Sequence, residues 1–257
     1  MYKSIVLEGG DGVGKSTLAT EITRHINEKS STYEAAEMGF PSSAIGGFRA
    51  FFLAQQGNRP SIDDGKIIWK PNYHTGVPPM ANLLMVLGDF IYVHSFLSGA
   101  PDIKTIEKRG KIPLIIFDRG ILSTIVYQVL YPFQVNGVNR LITKSMQVEM
   151  MHIIEQVLSL PDMAIPPHDK LVFLGSPDNE VRMTGDDTFD NFDQTRVNYC
   201  FSKTYSWLQG EAVSDMRLFE DEGMLPWLQS WYRTSQFIEA FSKPSEELAL
   251  DIAADYI

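Results

Sequence analysis

Apolar positions along the chain fall into two rhythms. Short unbroken runs at Ser4-Ile5-Val6-Leu7, at Ile112-Pro113-Leu114-Ile115-Ile116-Phe117 and from Lys170 to Leu174 predict strands, because a parallel strand covered on both faces needs no polar alternation. Between them, apolar residues recur at helical spacing. They predict helices over Thr17 to about Asn27, roughly Ser43 to Gln55, Met80 to about Ser98, Ile103 to Lys108, Ile121 to Leu130, Ser145 to Leu160 and Phe192 to Leu208. Further strands are predicted near Tyr33 to Met38 and at Met216 to Phe219, and helices across Pro226 to Phe241 and Ser245 to Tyr256 close the chain. Gly110 stops the helix before the Ile112 run, and Pro161, Pro166 and Pro167 mark the loop before the Lys170 run.

Strands separated by helices imply an α/β fold: a parallel sheet with right-handed crossovers, whose ligands bind at the carboxyl ends of the strands. Residues 57 to 80 carry Gly, Pro, Asp and isolated aromatics without either rhythm, and read as an irregular insertion that is either mobile or a cover for a site. At 257 residues and 44% hydrophobic content the chain can bury a full core, and one domain over residues 1 to 257 is the simplest division. The formal charge of -10 argues against a surface built for the nucleic-acid backbone, yet allows a local basic pocket for one small anion. Cys200 stands alone, which excludes a disulfide framework and a thiolate metal site and points to a reducing compartment. No run reaches membrane-spanning length, and Met1 leads into the first strand with no signal-peptide pattern. The expectation is a soluble, cytoplasmic protein with neither a membrane nor a nucleic-acid partner.

Candidate chemistry begins where the first strand ends. Residues 9 to 16 read Gly-Gly-Asp-Gly-Val-Gly-Lys-Ser, matching G-x-x-x-x-G-K-[ST] between a predicted strand and a predicted helix. Glycines let the backbone wrap an anion with its N–H groups turned inward, Lys15 supplies a point charge for the β and γ phosphates, and Ser16 offers a hydroxyl to Mg²⁺. The helix beginning at Thr17 adds the positive end of its dipole. The pattern therefore predicts a phosphate cradle. A second polar pair, Asp118-Arg119, ends the Ile112 run and so falls on the same sheet edge. Asp118 is suited either to capping the following helix or to holding a magnesium-bound water.

Three segments together resemble the thymidylate kinase family of nucleoside monophosphate kinases. They are Glu8-Gly9-Gly10-Asp11-Gly12-Val13-Gly14-Lys15-Ser16-Thr17; Gly39-Phe40-Pro41 ahead of a helix with Gly46 and Gly47; and Asp118-Arg119-Gly120-Ile121-Leu122-Ser123-Thr124-Ile125-Val126-Tyr127-Gln128. Weaker similarity runs from Leu174 to Tyr199, and little is found after about residue 208. The resemblance implies a phosphate-loop fold with a five-stranded parallel sheet flanked by helices, a homodimer, and Mg²⁺-dependent transfer from ATP to a deoxynucleoside monophosphate, commonly dTMP. It places ATP on Gly10, Asp11, Gly12, Val13, Gly14, Lys15, Ser16 and Thr17, and metal at Ser16 and Asp118. Asp11 would contact the sugar 3′-hydroxyl or a magnesium-bound water, and Phe40 would wall the acceptor pocket. Arg119 would hold the acceptor phosphate, Ser123 and Thr124 would face the base, and Tyr127 would crowd the 2′ position. A lid at about residues 176 to 191 would bring Arg182, and a helical extension would run from about residue 224.

The chain departs from that pattern in two places. With Val13 in the cradle it should neutralise charge from the lid, but the lid segment Met183-Thr184-Gly185-Asp186-Asp187-Thr188 is acidic, leaving Arg182, Arg196 in its place, or a heavier reliance on Lys15 and Mg²⁺ for the task. Where the family stacks a phenylalanine on thymine and follows it with an arginine, this chain has Met85 and Asp89. A carboxylate accepts hydrogen bonds and suits a base bearing an amino or hydroxyl group, so the expected acceptor is dTMP or a broader or modified range of deoxynucleotides. The alternatives are a deoxynucleoside kinase, in which Glu8 would act as the base on a hydroxyl, and a non-catalytic nucleotide-binding protein. A GTPase-like switch would need an Asn-Lys-x-Asp segment, and the sequence has none. His94 and Cys200 read as core or helix residues.

Overall fold

The computed structural model describes residues 2–10, 12–39, 61–63, 66–68, 79–97, 99–131, 142–159, 169–175, 194–208, 236–240 and 246–257. Five strands form one parallel sheet: β1 (Lys3–Gly9), β2 (Tyr33–Gly39), β5 (Ile112–Asp118), β6 (Lys170–Leu174) and β7 (Gln236–Ala240), in the order β2-β5-β1-β6-β7. Two more strands among the described residues, β3 (Ser61–Asp63) and β4 (Lys66–Ile68), pair antiparallel. The helices among the described residues are α1 (Lys15–Lys29), α2 (Pro79–Leu97), α3 (Pro101–Lys108), α4 (Ile121–Ile125), α5 (Lys144–Leu158), α6 (Gln194–Leu208) and α7 (Glu246–Ala253).

The unbroken apolar runs are explained by what covers them. Side chains alternate across a strand, so Val6, Ile115, Phe117, Leu171 and Phe173 enter one core with α2, α4, α5 and α6, whereas Ile5, Leu7, Leu114, Ile116, Val172 and Leu174 enter a second core with α1 and α7. Both faces are therefore dry, and a polar residue on either would lose its water. Register aligns the strand ends: Leu7 and Gly39 pair with Asp118, Gly9 with Leu174, and Leu174 with Ala240. One edge of the sheet thus gathers the carboxyl ends of all five strands. His94 and Cys200 are buried in the first core, and burial pulls the His94 imidazole down to about 4, so it packs as a neutral ring between Phe90 and Phe117.

Three expectations change. Gln236–Ala240 lies within the stretch expected as a helix from Pro226 to Phe241, but it pairs with β6 as the edge strand, so the chain beyond residue 224 is not purely helical. Its half-exposed Phe237-Ile238 centre is satisfied by sheet pairing, and five residues are too few for periodicity to separate strand from helix. Residues 216–219, expected as the last strand, lie outside the described residues. The insertion at 57 to 80 contains the β3–β4 pair. Finally, Ile121 to Leu130 is not one helix: α4 ends at Ile125 and Val126–Leu130 continues as a π-helical turn. Among the described residues no helix is long and apolar enough to cross a membrane.

Candidate active site

The cradle closes on its own lysine. Gly12 and Gly14 sit at φ of 75° and 92°, a conformation that glycine adopts without steric penalty, and α1 starts directly after them with Leu18 N donating to the Gly14 carbonyl at 3.0 Å. Lys15 is buried, and its Nζ donates to the Gly10 carbonyl at 2.5 Å. Burial pulls the ammonium down from its ordinary value, while Asp118 and Glu8 pull it back up. Val13 and Gly14 are half-buried, and Gly12, Ser16 and Thr17 are exposed at the mouth.

Across the sheet edge, Asp118 ends β5. Its Oδ2 accepts from Ser16 Oγ at 2.5 Å, whereas its Oδ1 is buried with no hydrogen-bond partner. Of the two roles open to Asp118, capping the next helix is not the one adopted; the amides of α4 go to Glu8 instead. Glu8 is fully buried: Oε1 accepts from Leu122 N at 3.1 Å, and Oε2 accepts from Ser123 N at 3.1 Å and from Ser123 Oγ at 2.5 Å. Burial pushes the Glu8 carboxyl up to about 7 even though Ser123, Arg119 and Lys15 all draw it down.

Between Asp118 and α4 the chain makes a strained turn. Arg119 holds φ at +81°, the left-handed region that side chains rarely adopt, and its N–H donates to the Leu7 carbonyl at 2.9 Å. The guanidinium carbon stands 5.1 Å from the centre of the Tyr127 ring, within cation–π range. Tyr127 belongs to the π turn, a distortion often found at functional sites, and burial pushes its phenol up so that it remains neutral. Beside it, Asn82 Nδ2 on α2 donates to Gln128 Oε1.

The sequence candidates divide accordingly. Gly10, Gly12, Val13, Gly14, Lys15, Ser16, Thr17, Asp118, Arg119 and Tyr127 are brought to one sheet edge. Ser123 and Thr124 are both buried; the Ser123 hydroxyl turns inward to Glu8 instead of standing open to a base, and Thr124 Oγ1 has no partner. On α2, Met85 is half-buried and Asp89 buried. Asp11, Phe40 and Arg182 lie outside the described residues, as does the expected lid, and Arg196 is placed on α6 by its backbone only. Asn198 was not legible as a site residue. It lies against Gly10, where an added Cβ would come within 2.0 Å of its Oδ1. No sequence signal marks it, since a lone Asn on an amphipathic helix is usual.

A parallel sheet that carries a glycine-rich phosphate loop after its central strand defines an α/β fold of the phosphate-loop class. No family model matches this sequence, and no curated protein matches it. Among solved structures the fold is similar to that of thymidylate kinase from Candida albicans, a protein described as having broad substrate specificity and a novel structural element. The TM-score is 0.55 at 18% identity, and the match covers 100% of this chain and 94% of that one.

Proposed function

We propose that this protein is a kinase of the thymidylate kinase type, transferring the γ-phosphoryl group of ATP to a deoxynucleoside monophosphate. The observation that carries the reading is the placement of Lys15 and Arg119 on one sheet edge, with the Glu8 carboxylate behind them already committed to α4. Glu8, the residue a nucleoside kinase would use to deprotonate a hydroxyl, is enclosed and committed to α4. A phosphate acceptor is already anionic and needs no base, so the available groups suit a monophosphate better than a nucleoside.

The reaction then reduces to alignment and charge neutralisation. The cradle's backbone N–H groups hold the donor phosphates, and Lys15 leaves the Gly10 carbonyl to meet the β and γ oxygens. Arg119 holds the acceptor phosphate from the opposite side and offsets the repulsion between the two anions. Tyr127 stacks beneath that guanidinium and limits its swing. Ser16 and Asp118 fit Mg²⁺: their hard oxygens already converge, Asp118 Oδ1 lacks a partner, and this metal usually takes one or two protein ligands with water and phosphate supplying the rest. When bound, Mg²⁺ would screen the charge that develops between the β and γ phosphates. Arg182 or Arg196 would complete the neutralisation when the lid closes and excludes water. The proposal includes a cytoplasmic homodimer.

The base preference follows from α2. Met85 replaces an aromatic stack, and the Asp89 carboxylate favours a base with an amino or hydroxyl donor, so the acceptor range should extend beyond dTMP. A coupled assay for ADP release with the four common deoxynucleoside monophosphates and their nucleosides tests the whole reading. Release with monophosphates alone, abolished in Lys15→Ala and Arg119→Ala, is expected. Release with nucleosides alone would assign the alternative kinase, and strict dTMP use unaffected by Asp89→Asn would refute the base reading.

A further inference from the structure

We propose that Glu8 is the positioning residue for the acceptor arginine: by clasping the first turn of α4 it holds Arg119 in its left-handed conformation over Tyr127. The role for Arg119 rests on the function proposed above; the clasp itself rests on geometry. Glu8 is the penultimate residue of β1, and its side chain points to the same face as Val6, toward α4. Three donors from two consecutive residues, Leu122 and Ser123, converge on its carboxylate. The preceding residue closes the other side, because the Leu7 carbonyl accepts from the Arg119 amide. Strand β1 therefore grips the turn at both ends, with only Gly120 and Ile121 between the grips.

That double grip accounts for two otherwise unexplained features. A non-glycine residue at φ +81° persists only where its surroundings over-determine it, and the grip on residues 119, 122 and 123 supplies that constraint. Gly120 is the second feature. A Cβ there would stand 2.9 Å from Val6 Cγ1 and 3.1 Å from Glu8 Oε1, so the turn lies against β1 as closely as a chain can. The arrangement also links the two halves of the site, since the cradle leaves β1 one residue after Glu8.

Among the described residues, few charged or titratable groups surround Glu8. Lys15 faces it from α1, Arg119 from the turn and Tyr127 from the π turn, while β6 places apolar Phe173 at its register. Ionised Glu8 accepts all three donors. Protonated Glu8 turns its O–H toward the Ser123 hydroxyl, which can accept, and loses the charge that strengthens its bonds from the Leu122 and Ser123 amides, so the grip on the turn weakens.

Glu8→Gln tests this. The carboxamide keeps the shape but turns an NH₂ toward an N–H donor. Expected is an acceptor KM raised about tenfold or more, with the ATP KM within about twofold of wild type. The wild-type acceptor kcat/KM should fall on acidification with a midpoint near 7, where Glu8 takes up its proton. That limb should vanish in Glu8→Gln, leaving only the one near about 6 that belongs to the nucleotide's phosphate. Ser123→Ala, which removes one donor and keeps both amides, should give a smaller shift of the same kind. Equal losses for ATP and acceptor, or persistence of the limb near 7, would overturn the proposal. If the wild type phosphorylates no monophosphate, the function assigned above fails instead. The clasp is then judged by the Arg119 Nε–H resonance of the substrate-free protein, which must move in Glu8→Gln and would refute the clasp by staying in place.

Discussion

Substituting Gly9 by alanine measures how closely the cradle is seated on the sheet. Gly9 has φ at +143°, and an added Cβ would lie 2.3 Å from the Leu174 carbonyl oxygen and 3.2 Å from Val13 Cγ2. The nearest obstacle is backbone in the neighbouring strand, paired in register with Gly9, so it cannot rotate aside as a side-chain tip would. Gly110 provides the control: its φ is +75°, yet an added Cβ there meets nothing within 4 Å. Both alanines bear the left-handed penalty of about 1–2 kcal/mol. Gly9→Ala adds the overpacking of a filled site, about 1–3 kcal/mol, for a total of roughly 2–5 kcal/mol. At about 2–4 °C per kcal/mol for a chain of this size, Gly9→Ala should lower Tm by roughly 4–20 °C and Gly110→Ala by no more than about 8 °C. Urea titration and calorimetry read both. ATP affinity should fall in Gly9→Ala, since separating β1 from β6 moves the loop that follows, and stay unchanged in Gly110→Ala. Equal destabilisation by the two substitutions would refute the argument.

Two further outcomes follow from other parts of the molecule. The Glu8 carboxyl rises from 4.5 when unfolded to about 7 when folded, so the native state binds the extra proton; its stabilising contribution is complete below pH 4.5 and is lost as pH rises through 7, a span worth about 3 kcal/mol. Urea midpoints from pH 4.5 to 8 should show this decline in wild type and not in Glu8→Gln, and parallel curves would refute it. Leu84, Gly88 and Tyr92 form an exposed stripe at four-residue spacing on α2, with Leu84 50% and Tyr92 54% exposed. A second copy in the proposed homodimer would cover it, so Leu84→Glu should shift sedimentation to the monomer mass, and an unchanged dimer would reject that face.

Local signals carried much of the fold and fixed the sheet edge of the site. Strands β1, β5 and β6 were legible because full burial on both faces writes itself as unbroken apolar sequence, and the cradle because its glycines, lysine and serine are consecutive. Asp118 and Arg119 were legible once the Ile112 run was read as a strand, since a sheet of that topology presents its strand ends to ligand. Strand β7 was not, because an edge strand with a half-exposed centre and five residues carries no distinctive period. The π turn was hidden for a related reason: its residues are ordinary helix residues, and the wider turn follows from packing. Asn198 required knowing that α6 crosses the cradle, a contact between residues far apart in sequence.

Glu8 shows where sequence reading stops and why the stopping point matters. In sequence it is a carboxylate ahead of a phosphate loop, a position that permits a catalytic base. Its partners lie 114 and 115 residues away, and only their arrival decides that both oxygens are spent on backbone amides and a hydroxyl. The fold would be more stable if that carboxyl were neutral, as the upward displacement to about 7 requires. Ionised, it forms the tighter grip on the turn that carries Arg119. A buried carboxyl whose surroundings oppose its ionisation, next to a left-handed arginine, is the compromise expected if the proposed positioning of a phosphate outweighs stability. The same reasoning explains why Gly120 admits no side chain: the clasp works only if β1 and the turn lie in contact.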